Sequence, residues 1–338
     1  MTKILETRML TPVTKLFRLD APLIAAAAKP GQFVMLRVRE GGERIPVTIA
    51  DYDRAAGTLT IVVQAVGATT RRVCALEAGD EILDVVGPLG SPVEIPPGGH
   101  VCAVGGGFGS AALLCLMREL TARGDTTTAI VGARTKDLLI LTDELRAICT
   151  NVEICTDDGS LGFKGFVTQR LAQLIAGEGG RASPRSAGAS ELDAEGGEPL
   201  GERGQGPGRP DTVIAIGPMP MLRAIAEATR EPKVKTLVSL DPLMVDGTGM
   251  CGGCRVQVGG ETKFACVDGP VFDAHLVDFA VGMRRSKQYV RQEKEAAERQ
   301  ACAVTPAVQA ASATSVRPAA ADVSAMPMAP VAAPAEVR

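Results

Sequence analysis

The stretch "LMVDGTGMCGGCRVQV", residues 243–258, does most to limit what this chain can become. With Cys266 in the following "FACVDG" it makes a C-x2-C-x11-C pattern, and four residues separate Asp246 from Cys251. The N-terminal "MTKILETRMLTPVTKLF" lacks the long apolar core of an export signal. A reducing, cytoplasmic setting is therefore expected, where thiols more often bind metal than form disulfides. Structural zinc usually takes two C-x2-C knuckles, or cysteines with histidine. Here there is one knuckle and one further cysteine, and the nearest histidine, His275, lies beyond the site. Gly247, Gly249, Gly252 and Gly253 crowd the knuckle. A backbone wrapped around a cluster, with N–H groups turned toward sulfides, needs residues free to adopt positive φ. The spacing C-x4-C-x2-C with a distant fourth cysteine is the plant-type two-iron pattern, and Asp246 stands where its first cysteine would be. Carboxylate oxygen binds ferric iron, so Asp246, Cys251, Cys254 and Cys266 are candidate ligands of a [2Fe-2S] cluster. Zinc, and cysteines without metal, stay open as alternatives. For Asp246 the alternative is a turn aspartate before Gly247, with Asp241 or water closing the site.

The rest of the chain must support such a site. Its 338 residues allow two or three domains, and a hydrophobic content of 46% can fill their cores. A net charge of -3 with no Trp and two Tyr argues against nucleic acid as a partner. No run of eighteen apolar residues occurs, so no membrane span is expected. Residues 1–97 hold short alternating or apolar runs separated by Gly, Pro and Asp, the pattern of a small antiparallel barrel. From residue 98 strands alternate with helices through "DTVIAIGP", which predicts a parallel α/β sheet over 98–237. Within it, residues 178–210 are Gly, Ser, Pro and charge without periodicity and read as a flexible insertion. The cysteine segment forms a lobe over 238–284. A polar helix and an Ala- and Pro-rich tail, expected to be disordered, fill 285–338. Cys74, Cys102, Cys115, Cys149 and Cys155 are scattered and read as small buried hydrophobes, and Cys302 has no partner pattern.

A second candidate site is "AVGGGFGSA", where Gly105, Gly106, Gly107 and Gly109 follow an apolar strand and precede a helix. Amides at such a turn bind phosphate. The spacing is not the G-x-G-x-x-G fingerprint, and no acidic residue closes the next strand. That strand ends in "GARTKD", whose Arg134 and Lys136 either face an adenosine phosphate or sit on a solvated strand end.

In order, "RIPVTIADYD", "AVGATTRRV", "VVGPLGSP", "VGGGFG", "GARTKDLLILTDEL", "CTDDGSLGFKGFVT", "AIGPMPML" and the cysteine segment resemble the ferredoxin-NADP reductase-like electron-transfer subunits. That family includes the dihydroorotate dehydrogenase electron-transfer subunit and the small subunit of NADH-dependent ferredoxin:NADP+ oxidoreductase, also called sulfide dehydrogenase. The resemblance covers residues 1 to about 285 apart from the insertion. It implies a multidomain fold: an antiparallel β-barrel for FAD, an α/β parallel-sheet domain for NAD(P)H and a small C-terminal [2Fe-2S] lobe. Carried onto this chain, Arg44 meets the FAD phosphates, and Pro46, Val47 and Thr48 form the flavin-binding strand, with Thr48 at the isoalloxazine edge. The wider pattern is R-x-Y-[ST]; here Val47 replaces the stacking Tyr and Arg44 comes one residue early. Gly67, Thr69 and Thr70 match the pyrophosphate turn. Gly105, Gly106, Gly107 and Gly109 match the NAD(P)H turn. Asp157, with Asp158 and Gly159, matches a loop near the dinucleotide, and Gly217, Pro218 and Met219 match the loop closing over the nicotinamide.

The resemblance implies passage of electrons from NAD(P)H through FAD and the cluster to a larger subunit. That partner carries FAD and iron–sulfur centres, is like the glutamate synthase small chain, and communicates with ferredoxin; the pair is expected to bifurcate electrons. An Asp at the first ligand position favours this branch over the dihydroorotate dehydrogenase subunits, whose pattern has four cysteines. Transfer from dihydroorotate to NAD is the alternative within the family, and a zinc-stabilised binding module the alternative outside it. No general base or nucleophile is expected, since His100 and His275 are isolated and read as structural.

Overall fold

The computed structural model describes residues 1–177 and 208–299. Most of the expected insertion, Cys302 and the Ala/Pro-rich tail lie outside the described residues. The described residues up to Glu293 form one compact unit.

Seven strands open the chain: β1 (Thr2–Thr11), β2 (Thr14–Asp20), β3 (Phe33–Arg37), β4 (Ile45–Asp53), β5 (Thr58–Gln64), β6 (Glu81–Ile82) and β7 (Asp84–Leu89). They pair antiparallel in the order β6-β1-β2-β5-β4-β3-β7. The two outer strands are joined through Leu83 alone, so the sheet curls until its edges nearly meet. Ile4, Phe17, Leu19, Val34, Leu36, Ile49, Leu59 and Ile61 fill the interior. A register shift between Ile49 and Asp51 bends β4 near its middle. Two short helices, α1 (Pro22–Ala27) and α2 (Ala68–Cys74), interrupt the barrel strands where the sequence reads only as loops.

The second sheet carries β8 (His100–Gly106), β9 (Thr126–Ala133), β10 (Asn151–Thr156), β11 (Phe163–Lys164), β12 (Thr212–Ile216) and β13 (Lys235–Ser239). These are parallel in the order β11-β10-β9-β8-β12-β13. Residues 100–105 of β8 and 127–132 of β9 are buried throughout, as strands covered on both faces must be. The covering helices are α3 (Leu113–Ala122), α4 (Thr142–Ile148), α5 (Val167–Ile175) and α6 (Met219–Arg230). A tight turn over Gly107–Ala112 precedes α3, and Leu141 at φ 54 separates a short turn at Lys136–Leu138 from α4.

The cysteine segment builds a hairpin of β14 (Arg255–Val258) and β15 (Glu261–Phe264). The chain then returns as β16 (Val271–Asp273), which pairs antiparallel with β13. The lobe therefore shares the second sheet. It closes with α7 (Phe279–Arg285), which starts earlier than the polar helix expected there; residues 290–299 are helical again after a turn. No helix among the described residues is long and apolar enough to cross a membrane.

Candidate functional site

The barrel brings two of the sequence candidates to one lip. Arg44 is exposed at the entry to β4, and Pro46, Val47 and Thr48 follow on the strand. Gly67 leads into α2, where Thr70 Oγ1 accepts from the amides of Val66 and Gly67 at 3.1 and 2.9 Å. Thr69 Oγ1 donates to Glu43 Oε2 at 2.6 Å, which ties this turn to the residue before Arg44. An arginine and a glycine turn with free surface on the same rim can take a phosphorylated ligand.

The second sheet gathers four candidates at the carboxyl ends of its parallel strands. Strand order reverses beside β8, the position where open α/β sheets bind ligands. Its glycines are needed for close approach. A Cβ on Gly109 would lie 2.3 Å from Ile216 O, and one on Gly106 would lie 2.4 Å from Met221 Sδ. Gly105 and Gly106 end β8, and Gly217 follows β12, so the glycine-rich turn packs directly on the Gly217–Pro218–Met219 loop. Gly107 has φ +55 and open space where its side chain would be. Ser110 was not singled out by sequence reasoning. Its Oγ is the buried side-chain polar atom without a hydrogen-bond partner among the described residues, and it lies inside this turn. Asp157 and Asp158 donate their amides to the carbonyls of Ala133 and Arg134, and Ser160 Oγ accepts from the amide of Lys136 at 2.8 Å. Arg134, Lys136 and Asp157 are exposed there.

The cysteine loop places its donors in two pairs. Cys254 Sγ and Cys266 Sγ are 3.1 Å apart and buried. Cys251 Sγ donates to Asp246 Oδ1 at 3.3 Å, and Cys251 is exposed. Among the described residues no three such side chains converge on one metal position. Two pairs fit two irons, each with two protein ligands, better than one tetrahedral zinc. Desolvation raises the Asp246 carboxyl, but the amides of Thr248 and Cys251, the Cys251 thiol and the Thr248 hydroxyl outweigh it and hold it at about 2. Burial, with the Cys254 thiol beside it, pushes Cys266 up to about 12. Metal must therefore displace a proton from Cys266. Asp241 is exposed and makes no hydrogen bond to the cysteines. Gly247, Gly249 and Gly252 do have positive φ, as wrapping requires.

The lobe is pinned on the barrel. Ser91 donates its amide to Gly269 O at 2.6 Å and its hydroxyl to Val267 O at 2.9 Å. A Cβ on Gly247 would lie 2.8 Å from Met35 and 2.9 Å from Leu89. Phe33, two residues before Met35, is in register with Thr48. The flavin-strand candidate and the cysteine loop thus meet across β3.

Both histidines are structural: His100 Nε2 bonds Thr128 Oγ1 at 2.9 Å and His275 Nε2 bonds Thr229 Oγ1 at 3.0 Å. Burial raises the thiols of Cys102, Cys115 and Cys155, which sit among core side chains.

The model for the iron–sulfur cluster binding domain of dihydroorotate dehydrogenase B matches residues 241–278. The dihydroorotate dehydrogenase B (NAD(+)) electron transfer subunit homolog of Thermotoga maritima is 43% identical over 283 residues, covering 84% of this chain and 89% of its own. A chain from the solved NADH-dependent reduced ferredoxin-NADP oxidoreductase, a study of flavin-based electron bifurcation, is 39% identical with a TM-score of 0.75. That match covers 88% of this chain and 97% of the other. A Neisseria gonorrhoeae ferredoxin NADP+ reductase, solved with FAD and NADP, matches at 17% identity and a TM-score of 0.50 over 68% of this chain and 89% of its own, which shows the fold alone. Ferredoxin-reductase fold and iron–sulfur-binding lobe together define an electron-transfer subunit of a flavin- and iron–sulfur-dependent NAD(P)H oxidoreductase. Within that class the chain belongs to the family of dihydroorotate dehydrogenase B electron-transfer subunits and their homologues.

Proposed function

We propose that this subunit passes electrons between NAD(P)H and a larger flavoprotein through FAD in the barrel and a [2Fe-2S] cluster held by Asp246, Cys251, Cys254 and Cys266. The observation that carries the proposal is the pairing of Asp246 with Cys251 beside the pairing of Cys254 with Cys266. When bound, FAD exchanges electron pairs with the nicotinamide and single electrons with the cluster.

The chain's own residues position each group. Arg44, Thr48 and the Gly67–Thr69–Thr70 turn hold FAD on the barrel lip, with Pro46 and Val47 as the strand beneath it. Gly105, Gly106, Gly107, Gly109, Asp157, Gly217 and Met219 receive the dinucleotide at the strand ends. Contact across β3 keeps the cysteine loop close to the flavin strand. Cys254 and Cys266 form the buried side of the cluster site and Cys251 the exposed side, so Cys251 is the thiolate ligand that would face a partner. Leu243, Val245, Met250 and Val267 are exposed around the loop, Met250 at 90%, and this apolar ring supports a protein partner there. The larger subunit is read as an FAD and iron–sulfur chain like the small chain of glutamate synthase; that it reaches ferredoxin and bifurcates electrons is supported by the 39% identical neighbour, solved in a study of flavin-based electron bifurcation. The names of the curated relatives favour a second reading, electron transfer from a dihydroorotate dehydrogenase to NAD. Asp246 at the first ligand position speaks for the first.

Anaerobic purification tests the proposal, with iron, sulfide, zinc and flavin measured on the same sample. Two irons, two sulfides and one FAD per chain are expected. One zinc and no flavin would overturn it.

A further inference from the structure

We infer that Arg285 is a positioning residue for the cluster site, a fixed cation that holds the cysteine knuckle and favours the reduced cluster. This rests on the cluster reading above. Arg285 Nη2 donates to Gly253 O at 3.0 Å, across 32 residues of sequence. Gly253 lies between Cys251 and Cys254, and its amide points at Cys251 Sγ, 3.4 Å away. One guanidinium thus fixes the residue that presents an N–H to a ligand sulfur.

Several contacts hold Arg285 there. Asp278 caps α7 by accepting from the amide of Val281 at 3.0 Å, and the Asp278 amide donates to Gln257 O at 2.9 Å. The helix start is thereby tied to β14, which begins one residue after Cys254. Phe279 is buried and Met283 packs on the same core. Gly282 lets the helix approach α6; a Cβ there would meet Met219 Cε at 3.1 Å. The helix end carries two arginines with different surroundings. Arg284 is exposed, whereas Arg285 is half-buried and turned to the knuckle.

A site of three thiolates and one carboxylate is anionic and becomes more so on reduction. A cation held partly out of water, beside the knuckle, stabilises the more negative state more than a solvated one does. Arg285→Gln removes that charge, and Arg284→Gln removes an equal charge from the exposed side. Iron and sulfide content would be measured first, then the midpoint potential by EPR-monitored titration. The expected result is a full cluster in both variants, with a potential lowered only in R285Q. A tenfold shift of the redox equilibrium, about 59 mV for one electron, is the size anticipated. Equal potentials in R285Q, R284Q and the unaltered chain would overturn the inference. If R285Q does not load iron, Arg285→Lys decides: loading at the unaltered potential supports it, and failure to load overturns it. An unaltered chain without iron would instead remove the cluster reading, and this inference with it.

Discussion

At the scale of single residues, the two kinds of glycine in the glycine-rich turn after β8 predict different costs. Gly109 is needed for contact, because a Cβ would strike backbone at Ile216. Gly109→Ala should destabilise the chain by about 1–3 kcal/mol and weaken NAD(P)H binding at least tenfold, as read by thermal unfolding and nucleotide titration. In the protein's own packing Gly107 is needed for its positive φ, since nothing lies within 4 Å of its Cβ direction. Gly107→Ala should cost about 1 kcal/mol and leave the packing on Gly217 unchanged. Asp246 supplies a third prediction. Asp246→Ala should lower the iron content of anaerobically purified protein, while Asp246→Cys should retain two irons with an altered EPR spectrum. The cysteine spacing and the glycines around it were readable from the sequence because covalent spacing limits where donors can meet. Ser110 and Arg285 were not. Neither belongs to a spacing pattern: Arg285 acquires its meaning from Gly253, 32 residues away, and Ser110 from the way its own turn folds it back against Gly105 and buries its hydroxyl without a partner among the described residues.

At the scale of elements, one clamp joins the barrel to the second sheet and another fixes the segment that leads from the barrel into β8, and magnitudes separate them. On α3, Arg118 pairs with Asp51 through both guanidinium nitrogens, and Glu119 accepts from Tyr52 Oη at 2.8 Å. Arg118 is about half exposed, so Arg118→Ala should cost less than about 1 kcal/mol. Asp125, before β9, is fully buried. It accepts from the amides of Gly98 and Gly99 and from Arg123 Nε at 2.7 Å, and Arg123 also donates to Ile95 O. Burial works to raise Asp125, but Arg123 and the two amides outweigh it and hold the carboxyl below its ordinary value near 3.8. A depressed carboxyl stabilises the fold above its unfolded value and loses that contribution as pH falls toward the folded one. Asp125→Asn should therefore cost about 1–3 kcal/mol at neutral pH and flatten the acid limb of stability below about pH 4, by denaturant unfolding at several pH values. The alternation of strands and helices was legible because periodicity reports burial directly. The short helices α1 and α2 were hidden in loop-like sequence, and α2 depends on Thr70 bonding back to the amides of Val66 and Gly67.

At the scale of the molecule, the described residues up to Glu293 form one compact unit. A chain cut after Glu293 should keep its flavin and iron stoichiometry and unfold within about 2 °C of the longer one, a change smaller than 1 kcal/mol produces in a domain of this size. Barrel, second sheet and cysteine lobe were each visible in sequence, yet their joining was not. β16 is three residues long, "VFD", with no pattern of its own, and it is a strand because β13 offers an open edge. That edge gives the lobe a second duty. An uncovered strand at a sheet border is a template for pairing with other chains. While β16 lies on β13 the border is shielded. Iron loss that loosens the lobe would strip away this guard, so oxidative damage at the cysteines would show itself as self-association and precipitation as well as lost colour.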